Sequence, residues 1–179
     1  MYYSTTYPSP IGLITLAGSE NSIAGLWLEH QKYFLNSLPE PPVPRDDLPV
    51  LCKAKSWLNR YFSGEKPAID ELPLAPIGSQ FRQDVWAILR QIPYGQVTTY
   101  GDIAKEMAQK MGRDTMSAQA VGGAVGHNPI SIIIPCHRVV GTDGSLTGYA
   151  GGIDKKIQLL KLEGVDLADL HVPKKGSAI

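Results

Sequence analysis

The hydrophobic pattern divides the chain into a strand-rich beginning and a helical second half. Residues 2–7, 12–17 and 22–29 are rich in β-forming side chains and are separated by turn signals, which predicts an antiparallel meander. After a proline-bearing loop, residues 48–62 have the apolar spacing of a helix that ends at Ser63-Gly64. The prolines within residues 66–78 predict a linker and a domain boundary.

The second half predicts three helices. Residues 79–92 place their apolar side chains on one helical stripe, with Ser79 as the N-cap. Residues 100–111 predict a second helix, and residues 117–126 a third that is built from small side chains. With the glycine-bearing hairpin expected after them, these helices outline a helix-turn-helix with a wing. Such a bare third helix approaches either another helix or a nucleic-acid groove closely.

Composition narrows the classes of protein. A chain of 179 residues, 43% hydrophobic and 19% charged, predicts one or two compact domains. Basic and acidic residues number 17 each, so net charge favours neither a nucleic acid nor a membrane as partner. Two cysteines make no disulfide framework, and the four histidines lack the spacing of metal ligands. Without a leader pattern or 18 consecutive apolar residues, we expect a cytoplasmic protein that has no membrane partner.

The chemistry concentrates in residues 135–140, Pro-Cys-His-Arg-Val-Val, which follow the apolar run 130–134. A thiol becomes nucleophilic when its thiolate is favoured, and His137 is the nearest group that can do this for Cys136. The alternative is a buried structural cysteine beside a solvent-facing histidine, since free cysteine is usually a small core hydrophobe. By the same reasoning Cys52, within the first predicted helix, is expected to be core packing.

Five segments of the second half form a specific set of motifs. They are residues 92–97 (IPYGQV), residues 120–122 together with Asn128-Pro129, residues 135–140, residues 148–152 (GYAGG) and residues 162–164 (LEG). In that order and spacing they resemble the O6-alkylguanine-DNA alkyltransferases, also called methylated-DNA:protein-cysteine methyltransferases. The resemblance is close over residues 79–167 and loose over the first 70. It implies an α+β fold, with a ribonuclease-H-like α/β domain over 1–75 and a winged helix-turn-helix domain over 79–170.

The resemblance implies that Cys136 accepts an alkyl group from guanine O6, or from thymine O4, in double-stranded DNA. Each molecule would act once, as a monomer without metal or cofactor. His137 would help to deprotonate Cys136, and Glu163 would hold and polarise His137. Asn128 would stitch the turn that carries the cysteine, and Tyr100 would donate to a ring nitrogen of the departing guanine. Because neighbours in an extended segment point to opposite sides, contact between Cys136 and His137 requires a bend or a bridging water.

The resemblance also implies contacts with a base that is turned out of the duplex. Tyr149 would stack near this base, the Ala150 amide would donate to O6 where many relatives have serine, and the Val139 carbonyl would accept from the exocyclic amine. The residues assigned in this way to DNA or base binding are Gln119, Ala120, Gly122, Val139, Tyr149, Ala150 and Arg138. Gln119 stands where many members have an arginine that fills the gap in the stack, and glutamine lacks its charge and flat surface. Arg138 serves either the phosphates or the fold.

Two other classes of function stay open from the residues. A non-catalytic damage binder, like the alkyltransferase-like proteins, would keep the DNA-binding shape; Cys136 argues against this class, and Gln119 is compatible with it. A thiol hydrolase using Cys136 and His137 would need an oxyanion site, of which the sequence gives no sign. Covalent transfer of a labelled alkyl group to Cys136 distinguishes the three.

Overall fold

The structure, a computed structural model, describes residues 1–173 and divides into two compact units. The first consists of Met1–Gly78 together with Pro129–Ile133, and the second of Ser79–Asn128 together with the chain from Ile134 onward. The chain therefore leaves the second unit for five residues directly before the cysteine motif. The sequence did not predict this excursion, because it depends on pairing with a distant strand.

A four-stranded sheet forms the centre of the first unit. Strands β1 (Tyr3–Ser9), β2 (Gly12–Gly18) and β3 (Ile23–Leu28) make the antiparallel meander that the sequence predicts. A fourth strand, β4 (Val43–Pro44), pairs in parallel with β1 and gives the order β3-β2-β1-β4. It lies in a stretch predicted as loop, since a two-residue strand has no periodicity of its own.

Helix α1 (Pro49–Phe62) packs against the sheet, as predicted. Its proline start suits the first helical turn, where the missing N–H has no partner to lose. The inward stripe buries Leu51, Ala54 and Leu58. Cys52 lies outside that stripe and is exposed, so the prediction that it packs in the core is wrong.

Two further segments extend the sheet at β3, whose residues are all buried. The Leu26 N–H donates to the Pro129 carbonyl at 2.8 Å, which places residues 129–133 beside β3. The Ile23 N–H donates to the Pro73 carbonyl at 2.8 Å. The predicted linker is thus hydrogen-bonded into the first unit instead of hanging free.

Helices dominate the second unit. They are α2 (Gln80–Leu89), α3 (Tyr100–Lys110), α4 (Ala118–Gly126) and α5 (Ile153–Leu162), and two short strands, β5 (Thr98–Thr99) and β6 (Val139–Val140), pair in parallel. The Ser79 hydroxyl caps α2 by accepting from the Arg82 N–H, and Ser117 caps α4 in the same way. The mixed α+β class is as predicted. Among residues 1–173, no helix is both long and apolar enough to cross a bilayer.

Helix α4 has one packed and one open face. Its inner side buries Val121, Ala124 and Val125, and the indole N–H of Trp86 on α2 donates to the Ala124 carbonyl at 2.9 Å. The outward positions, including Gln119, are exposed. Close packing on another helix is therefore confirmed for one side of α4, which contacts α2 and α3, while its other side is exposed. Approach of that exposed side to a nucleic-acid groove stays a prediction.

The segment after β6 is a loop where the sequence suggested a hairpin. A turn closes with the Gly141 N–H donating to the Ser145 carbonyl at 2.8 Å, and Ser145 makes an isolated parallel bridge with His171. Gly144 and Gly148 have φ values of 86° and 82°, a region that favours glycine. Tight turns at these glycines bring the loop back toward α5.

Candidate active site

Cys136 starts a single 3-10 turn, Cys136–Arg138. The Cys136 N–H donates to the Ile134 carbonyl at 2.8 Å across Pro135, whose φ of −82° and ψ of 64° form an inverse γ-turn. The chain therefore bends at the cysteine, and a bend was one of the two alternatives given for contact between Cys136 and His137. Cys136 is buried with 5% of its surface exposed, so it is not completely closed off.

Asn128 supports this turn from the end of α4. Its buried side-chain amide donates to the Ile134 carbonyl at 2.8 Å. That carbonyl also accepts the Cys136 N–H, so one oxygen links Asn128 to the backbone of the nucleophile. Asn128 therefore makes a hydrogen bond that supports the turn, as the resemblance implied.

His137 and Glu163 meet inside the second unit. The His137 Nε2 atom lies 2.6 Å from Glu163 Oε2, and both side chains are fully buried. Glu163 is the C-cap residue of α5, and its Oε1 atom also accepts from the Gly95 N–H at 3.2 Å. The carboxylate is therefore not the solvated helix-end residue that its sequence position alone would suggest.

Arg138 holds the same carboxylate from the other side. Its Nε and Nη2 atoms donate to Glu163 at 2.8 and 3.1 Å, and Nη1 donates to the Ile92 carbonyl at 2.7 Å. The guanidinium carbon also lies 5.6 Å from the centre of the Tyr94 ring. Of the two roles left open for Arg138, the structure therefore favours the one in the fold, because the buried guanidinium already donates to Glu163 and to Ile92.

These contacts fix the protonation of the pair. Burial alone would raise the pKa of Glu163, but His137 and then Arg138 outweigh it through hydrogen bonds and charge, and the pKa is lowered. Burial lowers the pKa of His137 despite the opposing influence of Glu163. An ionised Glu163 beside a neutral imidazole requires the proton on Nε2, as inferred from this network. Nδ1 then carries a lone pair, and it has no hydrogen-bond partner among residues 1–173.

A cavity of about 470 Å³ opens beside α4 in the second unit. Its volume is within the range of about 300–1,000 Å³ that small-molecule sites occupy. The residues around it are Tyr100, Ala118, Gln119, Gly122, Gly123, Gly141, Thr142, Thr147 and Gly148. Tyr100 donates its hydroxyl to the Thr147 carbonyl at 3.0 Å. Burial, and then the charge of Cys136, raises the pKa of Tyr100, so the phenol stays protonated near the cysteine.

The structure separates the predicted base-binding residues into two groups. Gln119 and Ala120 are exposed on α4, and Gly122 lies beside them at the cavity. Tyr149 is instead buried, with its ring edge-on to His137 at 6.5 Å and 80°. Tyr149 therefore packs against the imidazole, and the stacking near the everted base that the resemblance implies stays a prediction.

The two backbone contributors lie close to the turn and to the loop. The Val139 carbonyl already accepts from the Lys156 ammonium at 2.5 Å, and an oxygen with two lone pairs can accept once more. The Cys136 carbonyl likewise accepts from the Val139 N–H. Ala150 is half-buried in the loop that precedes α5.

Sequence reasoning missed Lys156 and the Gly95 amide. Lys156 carried a usable signal, since it falls on the helical stripe with Ile153, Ile157 and Leu160, where a charged residue is unexpected. No comparable pattern marks Gly95 as a donor, because a backbone N–H has no sequence signature. Its φ of 79° explains why glycine is favoured at that turn.

Together, fold and site define a class of protein. A helix-turn-helix unit carries a buried cysteine next to a histidine whose tautomer is set by a carboxylate, and a cavity lies at the open face of the helix. These are the groups that a thiol nucleophile, its base and a base-orienting residue require, although the Nδ1 atom of His137 makes no hydrogen bond to the thiol within residues 1–173.

Comparison with known proteins identifies the family. Residues 1–76 match the sequence model of the 6-O-methylguanine DNA methyltransferase ribonuclease-like domain, and residues 80–165 that of the DNA binding domain. The methylated-DNA--protein-cysteine methyltransferase of Haemophilus influenzae is 42% identical over 93% of this chain and 89% of its own. That of Methanosarcina acetivorans is 43% identical over 92% and 99%. The chain belongs to the 6-O-methylguanine DNA methyltransferase family.

A solved structure agrees with this membership. The Mycobacterium tuberculosis OGT, crystallised in complex with DNA, has a TM-score of 0.76 and 41% identity, and the match covers 94% of this chain and 96% of that one. The predicted fold, a ribonuclease-like domain followed by a DNA-binding domain, is confirmed.

Proposed function

We propose that this protein repairs alkylated DNA directly, by moving the alkyl group from guanine O6 in double-stranded DNA onto Cys136. The relatives are named for transfer from methylated DNA to a protein cysteine, and the M. tuberculosis neighbour is described in complex with DNA. The observation that carries the proposal is the placement of Cys136 in a turn directly before His137, whose imidazole is held at 2.6 Å by Glu163. Cys136 is also the one cysteine of the second unit within the described residues.

The transfer is a displacement at the alkyl carbon. The Cys136 thiol first loses its proton to Nδ1 of His137, directly or through a water, and Glu163 stabilises the imidazolium that forms. The sulfur then bonds to the alkyl carbon as the bond from that carbon to O6 breaks, and the electron pair passes to the guanine ring. The Tyr100 hydroxyl donates a proton to a ring nitrogen, and the proton that His137 took from the thiol returns to Tyr100 through water. The products are a thioether and normal guanine.

The cavity beside α4 is the proposed place of the everted base. A nucleobase inside a duplex cannot reach a buried thiol, so it has to leave the stack at a cost of a few kcal/mol. Gln119 and Ala120 lie on the exposed face of α4, where a groove of DNA could approach. Because a thioether is stable, each molecule acts once. A cytoplasmic, reducing location is part of the proposal, since Cys136 has to remain a free thiol.

Single-turnover labelling tests the proposal. We expect a duplex with one O6-methylguanine, labelled in its methyl group, to transfer at most one label per molecule, on the peptide that contains Cys136. Scintillation counting and peptide mass spectrometry measure the stoichiometry and the position. A label on Cys52, repeated turnover, or binding without transfer would each contradict the proposal.

Gln119 should set the cost of turning the base out of the duplex. We expect Gln119→Arg to speed transfer from a duplex by about fivefold, which corresponds to about 1 kcal/mol, because a guanidinium adds charge and a flat stacking surface. Transfer from free O6-benzylguanine, which needs no flipping, should stay at the wild-type rate. Rapid-quench kinetics with both substrates measure this. An equal gain with both substrates would show that residue 119 acts on the chemistry and not on the flipping.

A further inference from the structure

Lys156 is a fully buried lysine in the second unit. It lies on the inner face of α5, on the apolar stripe of Ile157 and Leu160. Removing an ammonium from water is costly unless hydrogen bonds and a counter-charge compensate for it. A lysine at this position therefore calls for an explanation.

Its hydrogen bonds are all to neutral groups. The Nζ atom donates to the Val139 carbonyl at 2.5 Å and to the Thr147 carbonyl at 2.8 Å. Among residues 1–173, Lys156 forms no ion pair with a carboxylate, whereas the guanidinium of Arg138 is neutralised by Glu163. The two carbonyls therefore replace hydrogen bonds that the ammonium of Lys156 would make with water, but they do not neutralise its positive charge.

The missing counter-charge is available at the nucleophile. Helix α5 packs against the 3-10 turn that begins with Cys136. Burial lowers the pKa of Lys156 to about 8, and the one charge that opposes this effect is that of the Cys136 thiolate. The charge of Lys156 is also among the influences that lower the pKa of His137. The lysine thus favours the thiolate and disfavours the imidazolium.

The other ionisable groups around the turn do not supply this charge. His137 is neutral because of its burial, and Glu163 and Arg138 neutralise each other. The Tyr100 phenol is protonated, and its hydroxyl donates to Thr147 O, the same carbonyl that Lys156 uses. Among the ionisable groups named here, Lys156 is therefore the cation that no carboxylate neutralises, and it lies on the helix that packs against the turn of Cys136.

We propose that Lys156 is a positioning residue for the alkyl transfer: its ammonium holds Cys136 as a thiolate and ties Val139, beside the nucleophile, to Thr147 at the cavity. This inference rests on the proposed function, because it assigns the lysine to the same reaction. The ammonium keeps its proton throughout. The thiol proton leaves to His137 or to solvent, and no atom of Lys156 bonds to the substrate.

The test measures the ionisation of Cys136 without DNA. In a Cys52→Ser background, which leaves one thiol, the rate of alkylation by iodoacetamide is followed from pH 4 to pH 10 by mass spectrometry. Lys156→Met should move the midpoint of this profile upward by about one pH unit or more, since one unit corresponds to about 1.4 kcal/mol of lost interaction. Lys156→Arg, which keeps the charge, should restore most of the shift.

Lys161→Met is the matched control. It removes a positive charge from the same helix at an exposed position, where solvent screens it, so the profile should stay at the wild-type midpoint. A purely structural role for Lys156 would reduce the amount of folded protein without moving the midpoint. A folded Lys156→Met protein with the wild-type midpoint overturns the inference.

A reciprocal measurement covers the case in which Lys156→Met does not fold. In protein with ¹³C-labelled lysine side chains, NMR follows the titration of Lys156 in the wild type and in Cys136→Ala. Coupling between two sites is mutual, so the midpoint of Lys156 should fall when the thiolate is removed. Identical midpoints in the two proteins overturn the inference.

Failure of this inference differs from failure of the proposed function. If the wild type transfers the methyl label from DNA but neither titration shifts, only the role of Lys156 is lost. If both titrations shift but no label moves from DNA, the coupling stands and the assignment to alkyl transfer falls.

Discussion

Replacement of Cys136 with alanine is expected to reduce transfer from O6-methylguanine DNA to background. The sulfur is the proposed acceptor, and no other side chain of the turn is a comparable nucleophile toward an alkyl carbon at neutral pH. Affinity for the damaged duplex should change by less than about twofold, since a small, 95% buried side chain is replaced by a slightly smaller one. Single-turnover labelling and fluorescence anisotropy measure the two quantities.

Two variants sharpen this result. Cys136→Ser should be as inactive as Cys136→Ala, because a hydroxyl is far less acidic than a thiol and His137 alone cannot make it an alkyl acceptor. Cys52→Ser should transfer at the wild-type rate, since Cys52 is exposed on α1 of the first unit. Transfer by Cys136→Ala, or its loss in Cys52→Ser, would move the acceptor to another residue.

Local signals in the sequence predicted the elements that depend on neighbouring residues. The Ser79 cap, the limits of α1 and the meander follow from patterns within a few residues of each other. Strand β4 and the excursion of residues 129–133 could not be predicted in this way, because each depends on pairing with a strand far away in the sequence. These are the places where tertiary contacts override local preference.

In the site, too, the sequence predicted what depends on neighbouring residues and not what depends on distant contacts. Cys136 and His137 are adjacent in the chain, and the resemblance supplied Glu163, which the structure brings to 2.6 Å from His137. The role of Arg138 stayed open between the phosphates and the fold, because the sequence does not show which acceptors a charged side chain meets. Its three acceptor atoms belong to Ile92 and Glu163, 46 and 25 residues away. Only the folded chain shows that this charge is enclosed.

Breaking the buried ion pair of Arg138 and Glu163 should strongly destabilise the second unit. Removing one partner of such a pair leaves an uncompensated buried charge, so Arg138→Met or Glu163→Gln should lower the free energy of unfolding by about 3–5 kcal/mol. The double variant should lose much less than the sum of the two single losses, because it leaves no lone charge. Chemical denaturation followed by circular dichroism gives the four values of this cycle.

The chain contains its own control. Arg60 and Glu71 of the first unit form an ion pair with a comparable distance of 2.6 Å, but both side chains are 39% exposed. Their cycle, Arg60→Met with Glu71→Gln, should show a much weaker coupling, which salt screens further. Equal coupling in the two cycles would mean that burial is not what gives the Arg138 pair its strength.

Lowering the pH should reduce the free energy of unfolding through protonation of Glu163. Burial by itself would raise the pKa of Glu163, but its contacts with His137 and Arg138 lower it below the ordinary value of 4.5. As the pH falls, Glu163 therefore takes up a proton more readily in the unfolded chain than in the folded one. The stabilisation of the folded state that Glu163 contributes above about pH 4.5 is lost as the pH falls further. Glu163→Gln, which cannot ionise, should lose less stability than the wild type over the same range. If both proteins weaken equally in acid, the carboxylate of Glu163 is not the group that responds.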